Sequence, residues 1–360
     1  MKVAIVAISL SKGGAERSTA LLSKILDSKG LDVHLITLTD SVDYDFSGTL
    51  FNLGRFKSLN DTGLEKINHL RRLKHYIKEN NFDFIIDNRT RGSAFKEFVY
   101  LNYIYCNQKV IYVVRSFHLA NYFPKNKWIS SQMIKRSLKV VGVSKVISDE
   151  VNIKFNTQKA ETIYNPLPEF DEIEIKKPDI PFILFLGRIE EDVKNFTLLL
   201  KGYQSSELSQ KGIALKIYGD GKDRNALLEM IENMNLTAQV SVHPFTPIIY
   251  GVLKNALFLT LTSRYEGFPR VLLEALSVGT PVLSVDCKSG PDEIIINEHN
   301  GLLIENFNEQ ALANAMNRFI FDTTLYQNCK ANAISSVQHL KQENIAQQWL
   351  NLMRNAKPKN

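Results

Sequence analysis

The sequence predicts an α/β protein that contains two doubly wound domains, each built on a parallel sheet. Short runs of Val and Ile alternate with longer amphipathic stretches along the whole chain. Nearly continuous apolar runs indicate strands that are covered on both faces, which is typical of parallel sheets. The chain has 360 residues, enough for two domains with a core each. An apolar content of 44% and a charged content of 23% fit a globular protein.

The apolar runs predict nine strands, five in the first half of the chain and four in the second. They are Val3–Ala7, Val33–Thr37, Phe84–Ile86, Val110–Val114, Val140–Val143, Ile183–Leu186, Leu215–Tyr218, Leu257–Leu261 and Val282–Val285. Between the two groups, the stretch 165–180 carries three prolines and a run of charges, which indicates a domain boundary. We therefore expect a first domain at residues 1–168, a second at 169–341, and a C-terminal helix at 342–360 that ends before KPKN.

Cysteine use and apolar run length indicate a cytoplasmic protein. Cys106, Cys287 and Cys329 are odd in number and widely spread, which predicts neither a disulfide framework nor a metal cluster. No apolar run reaches the roughly 18 residues that a transmembrane helix needs. The basic and apolar N-terminus has some features of a signal peptide, but its short Val and Ile run before a Gly pair favours a buried first strand.

The charge of the chain is unevenly distributed. Residues 1–168 hold 25 Lys and Arg against 15 Asp and Glu, whereas residues 169–360 hold 19 against 23. A basic half predicts a partner that carries phosphates, such as an anionic membrane surface, a phosphorylated substrate or a nucleic acid. A nucleic acid is the weakest of these, because the basic segments lack a recognisable binding module.

Ligands of open α/β sheets bind beyond the carboxyl ends of the strands, and two such sheets predict a site between them. The stretch 263–282, SRYEGFPRVLLEALSVGTPV, follows one of these strands. It places Glu266 in a loop and Glu274 eight positions later, on a helix expected to run from Arg270 to Val278. A helix start binds phosphate well, and a carboxylate on each side suits the two sugars that flank a diphosphate. Alternatively, Glu274 is a solvated helix residue and Glu266 a cap.

A second strand-end segment, FLGRIEEDVKNF, carries two cations. Arg188 and Lys194 are placed to grip a diphosphate, the first as a planar fork and the second as a point charge. The alternative is a surface loop in which these cations pair with Glu190, Glu191 and Asp192. From this segment alone the two interpretations are equally good.

Three further strand ends give weaker signals. Gly13 and Gly14 allow close approach of a ligand to the backbone, although neither a dinucleotide fingerprint nor a P-loop is present. Gly219, in the YGDG turn, is placed to border a base or ribose. His118 follows the strand ending in VVR and is a candidate for a substrate contact or general acid–base chemistry. Each also fits a plain turn or a structural role.

Asp43-Tyr44-Asp45 has the D-x-D form that holds a divalent cation in many sugar transferases. It lies in a polar loop early in the chain, far in sequence from Glu266, and we interpret it as coincidental. We therefore expect no metal site and no cofactor.

Two basic amphipathic segments lie in the first half. Residues 66–79 place apolar side chains on one face among Arg and Lys, and residues 125–139 combine Trp128 with several lysines. Both patterns suit an anionic bilayer surface. They also fit helices that pack on the sheet with solvated charges outside, which is the better interpretation for the first segment and an equal one for the second.

With these segments laid out, the chain resembles the retaining glycosyltransferases of family 4, which have the two-domain GT-B fold. The resemblance covers nearly the whole chain and is most specific in FLGRIEEDVKNF, YGDG and SRYEGFPRVLLEALSVGTPVLSVDCKSGPDEI. The stretch EGFPRVLLEAL is similar to bacterial enzymes that build capsule, lipopolysaccharide or lipid-linked oligosaccharides. The resemblance implies an acceptor-side first domain, a donor-binding second domain and a last helix that returns to the first domain.

The resemblance implies a role for each matching residue of the second domain. Arg188 and Lys194 match the pair that grips the donor diphosphate. Glu274 matches the glutamate that holds the ribose, and Glu266 the one that faces the donor hexose. The family's E-x7-E pattern thus falls on these two glutamates.

The resemblance also implies contacts made by the backbone. Phe268, Arg270 and Val271 are expected to meet the hexose and the β-phosphate. Pro269 stands where many relatives have Gly and offers no N–H there, which puts the local donor contacts and the sugar preference in doubt. In the first domain, Gly13 and Gly14 match the turn over the donor phosphates, and His118 matches a histidine near the reacting centre.

The implied activity is transfer of a hexose from a nucleotide sugar, UDP in preference to GDP, to a saccharide or lipid-linked saccharide. The implied location is cytoplasmic, peripheral on the cytoplasmic face of an inner membrane, with its anionic surface as a partner. A nucleotide-sugar epimerase or sugar phosphorylase of the same fold, and a non-catalytic nucleotide-sugar-binding partner, are the alternatives.

Overall fold

The structure is a computed structural model that describes residues 1–11, 13–170, 178–246 and 249–356. Within these ranges, thirteen strands form two sheets, and every strand pairing is parallel. Parallel sheets need a crossover between neighbouring strands, and the helices of the chain provide these crossovers. The predicted α/β class with two doubly wound sheets is confirmed.

The first sheet has seven strands in the order β3-β2-β1-β4-β5-β6-β7, and the second has six in the order β10-β9-β8-β11-β12-β13. The strands are β1 Lys2–Ala7, β2 Asp32–Thr37, β3 Thr49–Asn52, β4 Phe84–Asp87, β5 Val110–Val114, β6 Lys139–Gly142, β7 Ala160–Thr162, β8 Phe182–Leu186, β9 Ala214–Tyr218, β10 Val240–His243, β11 Leu259–Leu261, β12 Val282–Val285 and β13 Gly301–Ile304.

The helices are α1 Gly14–Asp27, α2 Gly63–Asn80, α3 Ala94–Val99, α4 Lys127–Arg136, α5 Lys145–Phe155, α6 Glu191–Lys194, α7 Phe196–Ser205, α8 Arg224–Asn233, α9 Tyr250–Asn255, α10 Arg270–Ser277, α11 Pro291–Ile294, α12 Glu309–Phe321, α13 Thr323–Ser336 and α14 Gln342–Asn355. A single π turn, Tyr100–Ile104, continues α3. No helix in the described part of the chain is long and apolar enough to cross a membrane.

The central strands are buried because their side chains are apolar on both faces. All five residues of β5 and all five of β8 are buried. The helices add their apolar faces to this core, as α10 does with Leu272, Leu273 and Leu276. Gly279 lies just after α10 with a φ of 83°, a conformation that glycine adopts without strain, and so the helix ends there.

Two compact units divide the chain. Unit 1 is Met1–Pro166 together with α14, and unit 2 is Leu167–Lys341. The division falls two residues before the position we expected from the sequence. Within unit 1, α14 packs on α1, buries Trp349 and brings Lys29 within 3.3 Å of Glu343. Parts of the predicted linker, at 171–177, and the KPKN tail lie outside the described residues.

The prediction of nine strands was incomplete, because β3, β7, β10 and β13 were missed. Each of the four lies at an edge of its sheet. An edge strand is covered by one neighbour only, and these four are partly exposed. The sequences of β3, β7 and β10 therefore lack the continuous apolar run on which the prediction depended, whereas β13 has a short one, LLI, that was overlooked.

Candidate active site

The carboxyl ends of β8 and β11 bring Lys194 and Glu266 together. Lys194 is the last residue of α6, and its Nζ donates a hydrogen bond to Glu266 Oε1 over 2.5 Å. Only 14% and 15% of the two side chains are exposed, so solvent screens this ion pair weakly. The pKa of the Cys287 thiol is raised, mainly by burial and to a smaller extent by the Glu266 carboxylate. The thiol therefore stays protonated.

Further hydrogen bonds fix the Glu266 loop in place. Ser263 Oγ donates to the same Glu266 oxygen over 2.7 Å, and the Glu266 N–H donates to the Lys288 carbonyl over 2.9 Å. Arg264 donates to Glu191 and Asn195, on the segment that carries Lys194. The sequence analysis missed Ser263 and Arg264, although both lie in the SRYEG stretch that it singled out. These bonds hold the Lys194 and Glu266 segments in one arrangement.

The start of α10 follows this loop directly. Pro269 is the N-cap, and no side chain caps the helix. Pro269 has no N–H, so the donors at this end are backbone groups from Arg270 onward. The preceding Phe268 is buried, while Val271 is partly exposed. The helix start thus presents partial positive charge four residues after Glu266, the partner of Lys194.

Glu274 lies one turn into α10 and is buried with 5% of its surface exposed. Its Oε1 is 3.6 Å from Arg270 Nη2, so the pair forms an ion pair along the helix. The alternative that Glu274 is a solvated helix residue is wrong. An Arg at a helix start is opposed by the helix dipole, and the Glu274 carboxylate offsets that repulsion.

Arg188 follows β8 and is far more exposed than Lys194. Its side chain is 59% exposed, and Nη1 is 3.2 Å from Glu190 Oε1. The surface-loop alternative therefore describes Arg188, which pairs with Glu190, but not Lys194, which pairs with Glu266. An exposed Arg on a strand-end loop keeps its planar donor fork accessible to an anion.

Gly219, after β9, is required by packing. A β carbon at this position would lie 1.8 Å from the Gly187 carbonyl oxygen, because the two strand-end loops pack backbone against backbone. The Gly187 N–H donates to the Tyr218 carbonyl, and the Ile189 N–H to that of Asp220. The role of Gly219 in ligand binding stays a prediction, while its structural role is evident.

In unit 1, the Gly13–Gly14 turn follows β1 and begins α1. Gly13 is the N-cap in an extended conformation, and Gly14 is the first helical residue. The Glu16 carboxylate lies over Gly13, since a β carbon there would be 2.1 Å from Glu16 Oε2. An acidic side chain thus occupies the helix start that we expected to face donor phosphates. The contact of this turn with a ligand stays a prediction.

His118 lies beyond the carboxyl end of β5 and is exposed at the start of a short 3₁₀ turn. Its neighbour Arg115 donates hydrogen bonds to Asn165 over 2.8 Å and to Asn88 over 3.3 Å. The position of His118 suits a substrate contact, and its role stays a prediction.

The D-x-D segment makes contacts of its own. Asp45 pairs with Lys24 over 2.6 Å, and the Asp43 N–H donates to the Leu10 carbonyl. The hydrogen bond from Lys24 lowers the pKa of Asp45. In the ranges that the structure describes, no three His, Cys, Asp or Glu side chains are grouped as metal ligands would be.

A buried charge cluster at the end of β4 was missed. Arg89 donates to Asp87 over 2.7 Å and to Glu97 over 3.2 Å, while Arg91 donates to the Asp87 backbone carbonyl over 2.8 Å. Tyr105 donates its hydroxyl to Asp87. Burial raises the pKa of Asp87, but the two guanidinium groups lower it by more, so that it lies below its usual value. The sequence signal that could have indicated this cluster is the presence of charged residues directly after the buried FIID strand.

Two family models match consecutive parts of the chain. The model described as "Glycosyltransferase Family 4" matches residues 12–168, and the one described as "Glycosyl transferases group 1" matches residues 168–336. The first match begins just before the Gly13–Gly14 turn, and all but its last two residues lie in unit 1. The second contains Lys194, Glu266 and Glu274.

Two curated relatives are similar over most of their length. An N-acetylgalactosamine-N,N'-diacetylbacillosaminyl-diphospho-undecaprenol 4-alpha-N-acetylgalactosaminyltransferase of Campylobacter jejuni is 26% identical, and the match covers 97% of this chain and 98% of the relative. A lipopolysaccharide 1,6-galactosyltransferase of Salmonella typhimurium is 27% identical over 73% of this chain and 74% of its own.

Solved structures share the fold. Anabaena HepE, crystallised in complex with UDP, superposes with a TM-score of 0.76 at 18% identity, covering 99% of this chain and 100% of its own. Such a likeness at low identity establishes a common architecture, in which two units each carry a parallel sheet.

Proposed function

Because this chain belongs to glycosyltransferase family 4 and has the GT-B fold, we propose that it is a retaining enzyme that moves a hexose from a UDP-sugar to a saccharide on a lipid carrier. The product would be an intermediate of a cell-envelope polysaccharide, such as capsule or lipopolysaccharide. Glycosyl transfer itself follows from the family, while the stereochemistry, the donor and the acceptor are the proposal.

The Lys194–Glu266 pair carries the proposal. A cation and a carboxylate touch over 2.5 Å with little solvent exposure, and the carboxylate belongs to the loop that leads into α10. A nucleotide sugar needs a positive site for its diphosphate and an acceptor of hydrogen bonds for its hexose hydroxyls. We assign the first task to Lys194 and the second to Glu266.

The main catalytic task is to stabilise the diphosphate as it leaves. Cleavage of the anomeric bond through an oxocarbenium-like state leaves negative charge on the departing phosphate. Lys194, the backbone donors at the start of α10 and the accessible fork of Arg188 supply positive charge for it. Because Glu266 holds Lys194 and the helix holds the backbone donors before the reaction, little of their reorganisation opposes the charge as it develops.

Glu274 is assigned to the ribose of the donor. Its carboxylate is buried, and one of its oxygens lies 3.6 Å from Arg270. Pro269 removes one backbone donor from the helix start. We therefore expect this turn to contribute to the choice of hexose.

The assignments for unit 1 rest on the position of its strand ends. We propose that the Gly13–Gly14 turn approaches the donor phosphates and that His118 contacts the substrate near the reacting centre. The Glu16 carboxylate over Gly13 would have to turn away, which a long flexible side chain can do.

Similar proteins support the proposed donor, a UDP-sugar, and the proposed acceptor, a saccharide on a lipid carrier. The Campylobacter enzyme is named for a diphospho-undecaprenol acceptor, the Salmonella enzyme for lipopolysaccharide, and HepE was crystallised with UDP. A lipid-linked acceptor would place the protein at the cytoplasmic face of a membrane. We further propose that no metal ion takes part, because Lys194, Arg188 and the helix start already provide charge for the diphosphate.

Product analysis tests the proposal. The protein is incubated with radiolabelled UDP-hexoses and a polyprenyl-diphosphate-linked saccharide, with and without EDTA, and the product is analysed by NMR. We expect a new glycosidic bond in the α configuration of the donor, and an equal rate with EDTA. A β-linked product would contradict retention, and an EDTA-sensitive rate would contradict the metal-free assignment.

A matched pair of variants distinguishes the transfer activity of this protein from that of a contaminating enzyme. Lys194→Ala should lower the rate by at least about 100-fold, the usual cost of one oxyanion donor. Lys201→Ala, an exposed lysine on α7, should leave it unchanged. An epimerised nucleotide sugar without a new bond, or a sugar phosphate, would show that the alternative activity is correct.

A further inference from the structure

We propose that unit 1 docks on an anionic lipid bilayer through one defined surface, which we call the aromatic–basic face. The proposal deepens the proposed function, on which it rests only for the lipid-linked acceptor that makes a bilayer the relevant partner. The face consists of Phe95, Phe98, Tyr103, Trp128, Lys96, Lys125, Lys127, Lys135 and Arg136.

The charge of this part of the chain is one-sided. Residues 88–148 contain eleven Lys and Arg and a single acidic residue, Glu97. Glu97 is 2% exposed and pairs with Arg89 inside the buried cluster at the end of β4. The segment therefore presents no acidic side chain to solvent, while five of its cations on α3, α4 and the preceding loop are exposed. A solvated helix face of ordinary composition would carry both signs.

Large aromatic side chains lie among these cations. Phe95 is 77% exposed, Phe98 45% and Trp128 57%. Phe95 and Phe98 are three positions apart on α3 and so share one side of the helix. On α4, Ile129, Met133 and Ile134 form the buried face. Packing therefore accounts for these three apolar residues but not for Trp128, which lies off the packed side of its helix.

The elements of the face are neighbours in unit 1. The helices α3 and α4 pack against each other, and Arg136 Nη1 donates to Asn102 Oδ1 over 2.8 Å on the π turn. Lys74, on α2, lies 3.8 Å from the centre of the Tyr103 ring. Burial and the nearby ammonium of Lys96 lower the pKa of Lys57. The cations of α2 and α3 thus border the same surface.

An anionic bilayer matches this combination better than a soluble polyanion does. Each Lys or Arg near an anionic membrane strengthens the electrostatic attraction, and burial of a Phe side chain in the bilayer adds a hydrophobic contribution. Aromatic rings between lysines favour the lipid–water interface, where the rings enter the headgroup region and the ammonium groups meet phosphates. A polyanion would need the cations but would leave the Phe rings exposed.

Vesicle flotation tests the proposal with the full chain and no substrate. Vesicles contain either phosphatidylcholine alone or phosphatidylcholine with about one third phosphatidylglycerol, a fraction chosen to approximate an anionic leaflet. We expect flotation with the anionic vesicles at least about tenfold stronger than with the neutral ones, and weaker binding as salt rises. Equal flotation with both, or none with either at low salt, would overturn the proposal.

Two sets of variants distinguish the face from general basicity. Phe95→Ser/Phe98→Ser/Trp128→Ser should abolish flotation, and Lys96→Gln/Lys125→Gln/Lys127→Gln should weaken it at least about tenfold. All six side chains are exposed, so the melting temperature should stay near that of the wild type. Matched controls in unit 2, Ile296→Ser/Phe321→Ser and Lys201→Gln/Lys211→Gln/Lys330→Gln, change exposed residues of the same kinds and should float like the wild type.

Two results would show that the face is a solvated basic surface and not a bilayer-docking surface. If the aromatic triple variant floats like the wild type, the rings do not enter the bilayer and the face is a solvated basic surface. The same conclusion follows if heparin, as a soluble polyanion, binds the protein as tightly as the anionic vesicles do. Transfer to a short water-soluble acceptor should be equal in wild type and triple variant, so that failure of docking and failure of the proposed activity are told apart.

Discussion

Glu266 and Glu274 each hold a cation at short range, and this pairing defines the candidate site at the scale of single residues. Lys194 is paired with Glu266 over 2.5 Å, and Arg270 with Glu274 over 3.6 Å. In the proposed function, the donor diphosphate contacts Lys194, and donor hydroxyls contact Glu266 and Glu274. The two pairs therefore keep charged groups ready in a poorly solvated place, where a lone charge would be costly.

The buried cluster around Asp87 in unit 1 depends even more strongly on the pairing of opposite charges. Asp87→Asn keeps the shape of the side chain but removes the charge that balances Arg89 and Arg91, which are 3% and 1% exposed. Breaking a buried ion pair typically costs about 3–5 kcal/mol. We expect a loss of that size in the free energy of unfolding of unit 1, measured by denaturant titration.

Tryptophan fluorescence makes this measurement specific to unit 1, because the only two tryptophans of the sequence, Trp128 and Trp349, both belong to it. Asp149→Asn, an exposed acidic residue of α5, is the matched control and should change stability by less than about 0.5 kcal/mol. Equal transitions for Asp87→Asn and the wild type would refute the stabilising role of the cluster.

At this scale the sequence revealed the kinds of residue but not their partners. Glu266, Glu274, Arg188 and Lys194 were recognisable from motif spacing. Their pairing was not, because Lys194 and Glu266 are 72 residues apart and meet only when β8 and β11 lie in one sheet. The Asp87 cluster was missed because charged residues after a strand normally predict a surface loop.

Among the elements, burial decides which strands can be predicted from sequence. The nine predicted strands lie inside their sheets, and the four that were missed are the edges. Strand β10, VSVH, alternates in polarity, and β7, AET, has three residues only. Helices were easier to predict from the sequence than edge strands. Both α10 and α14 carry a regular apolar stripe, and Gly279 follows directly after the end of α10.

The edge strand β10 ends in a partly buried histidine, from which we predict that unit 2 is sensitive to acid. His243 stacks on Tyr218 with ring centres 4.5 Å apart, and burial, then Lys216 and Arg224, lower its pKa. Below pH about 6.5 the unfolded chain therefore takes up a proton that the folded protein binds more weakly, and folding stability falls. His243→Gln cannot be protonated, so we expect it to lose less in melting temperature between pH 7.5 and 5.5 (about the window of His titration).

His299→Gln is the control for this prediction, because His299 is exposed in the same unit. It should lose as much in melting temperature as the wild type does. If His243→Gln is as acid-sensitive as the wild type, the stacked histidine does not account for the pH dependence.

For the molecule as a whole, the charge asymmetry matches the two proposals. Residues 1–168 are strongly basic and contain the aromatic–basic face, while residues 169–360 carry a small acidic excess and contain Lys194, Glu266 and Glu274, which we assign to the donor. The sequence allowed both units to be predicted, since each repeats the same alternation of strand and helix. The face was predicted only in part, because exposure of Phe95 and Phe98 depends on how α3 packs.

The proposed function depends most on the binding of a UDP-sugar diphosphate to unit 2 through Lys194. Calorimetric titration of UDP into the wild type, Lys194→Ala and Lys201→Ala measures this directly. A charge-assisted hydrogen bond is worth about 1.5–3 kcal/mol, so Lys194→Ala should weaken UDP binding by about 10- to 100-fold, while Lys201→Ala binds like the wild type. Unchanged UDP affinity in a folded Lys194→Ala protein would contradict the assignment of Lys194 to the diphosphate.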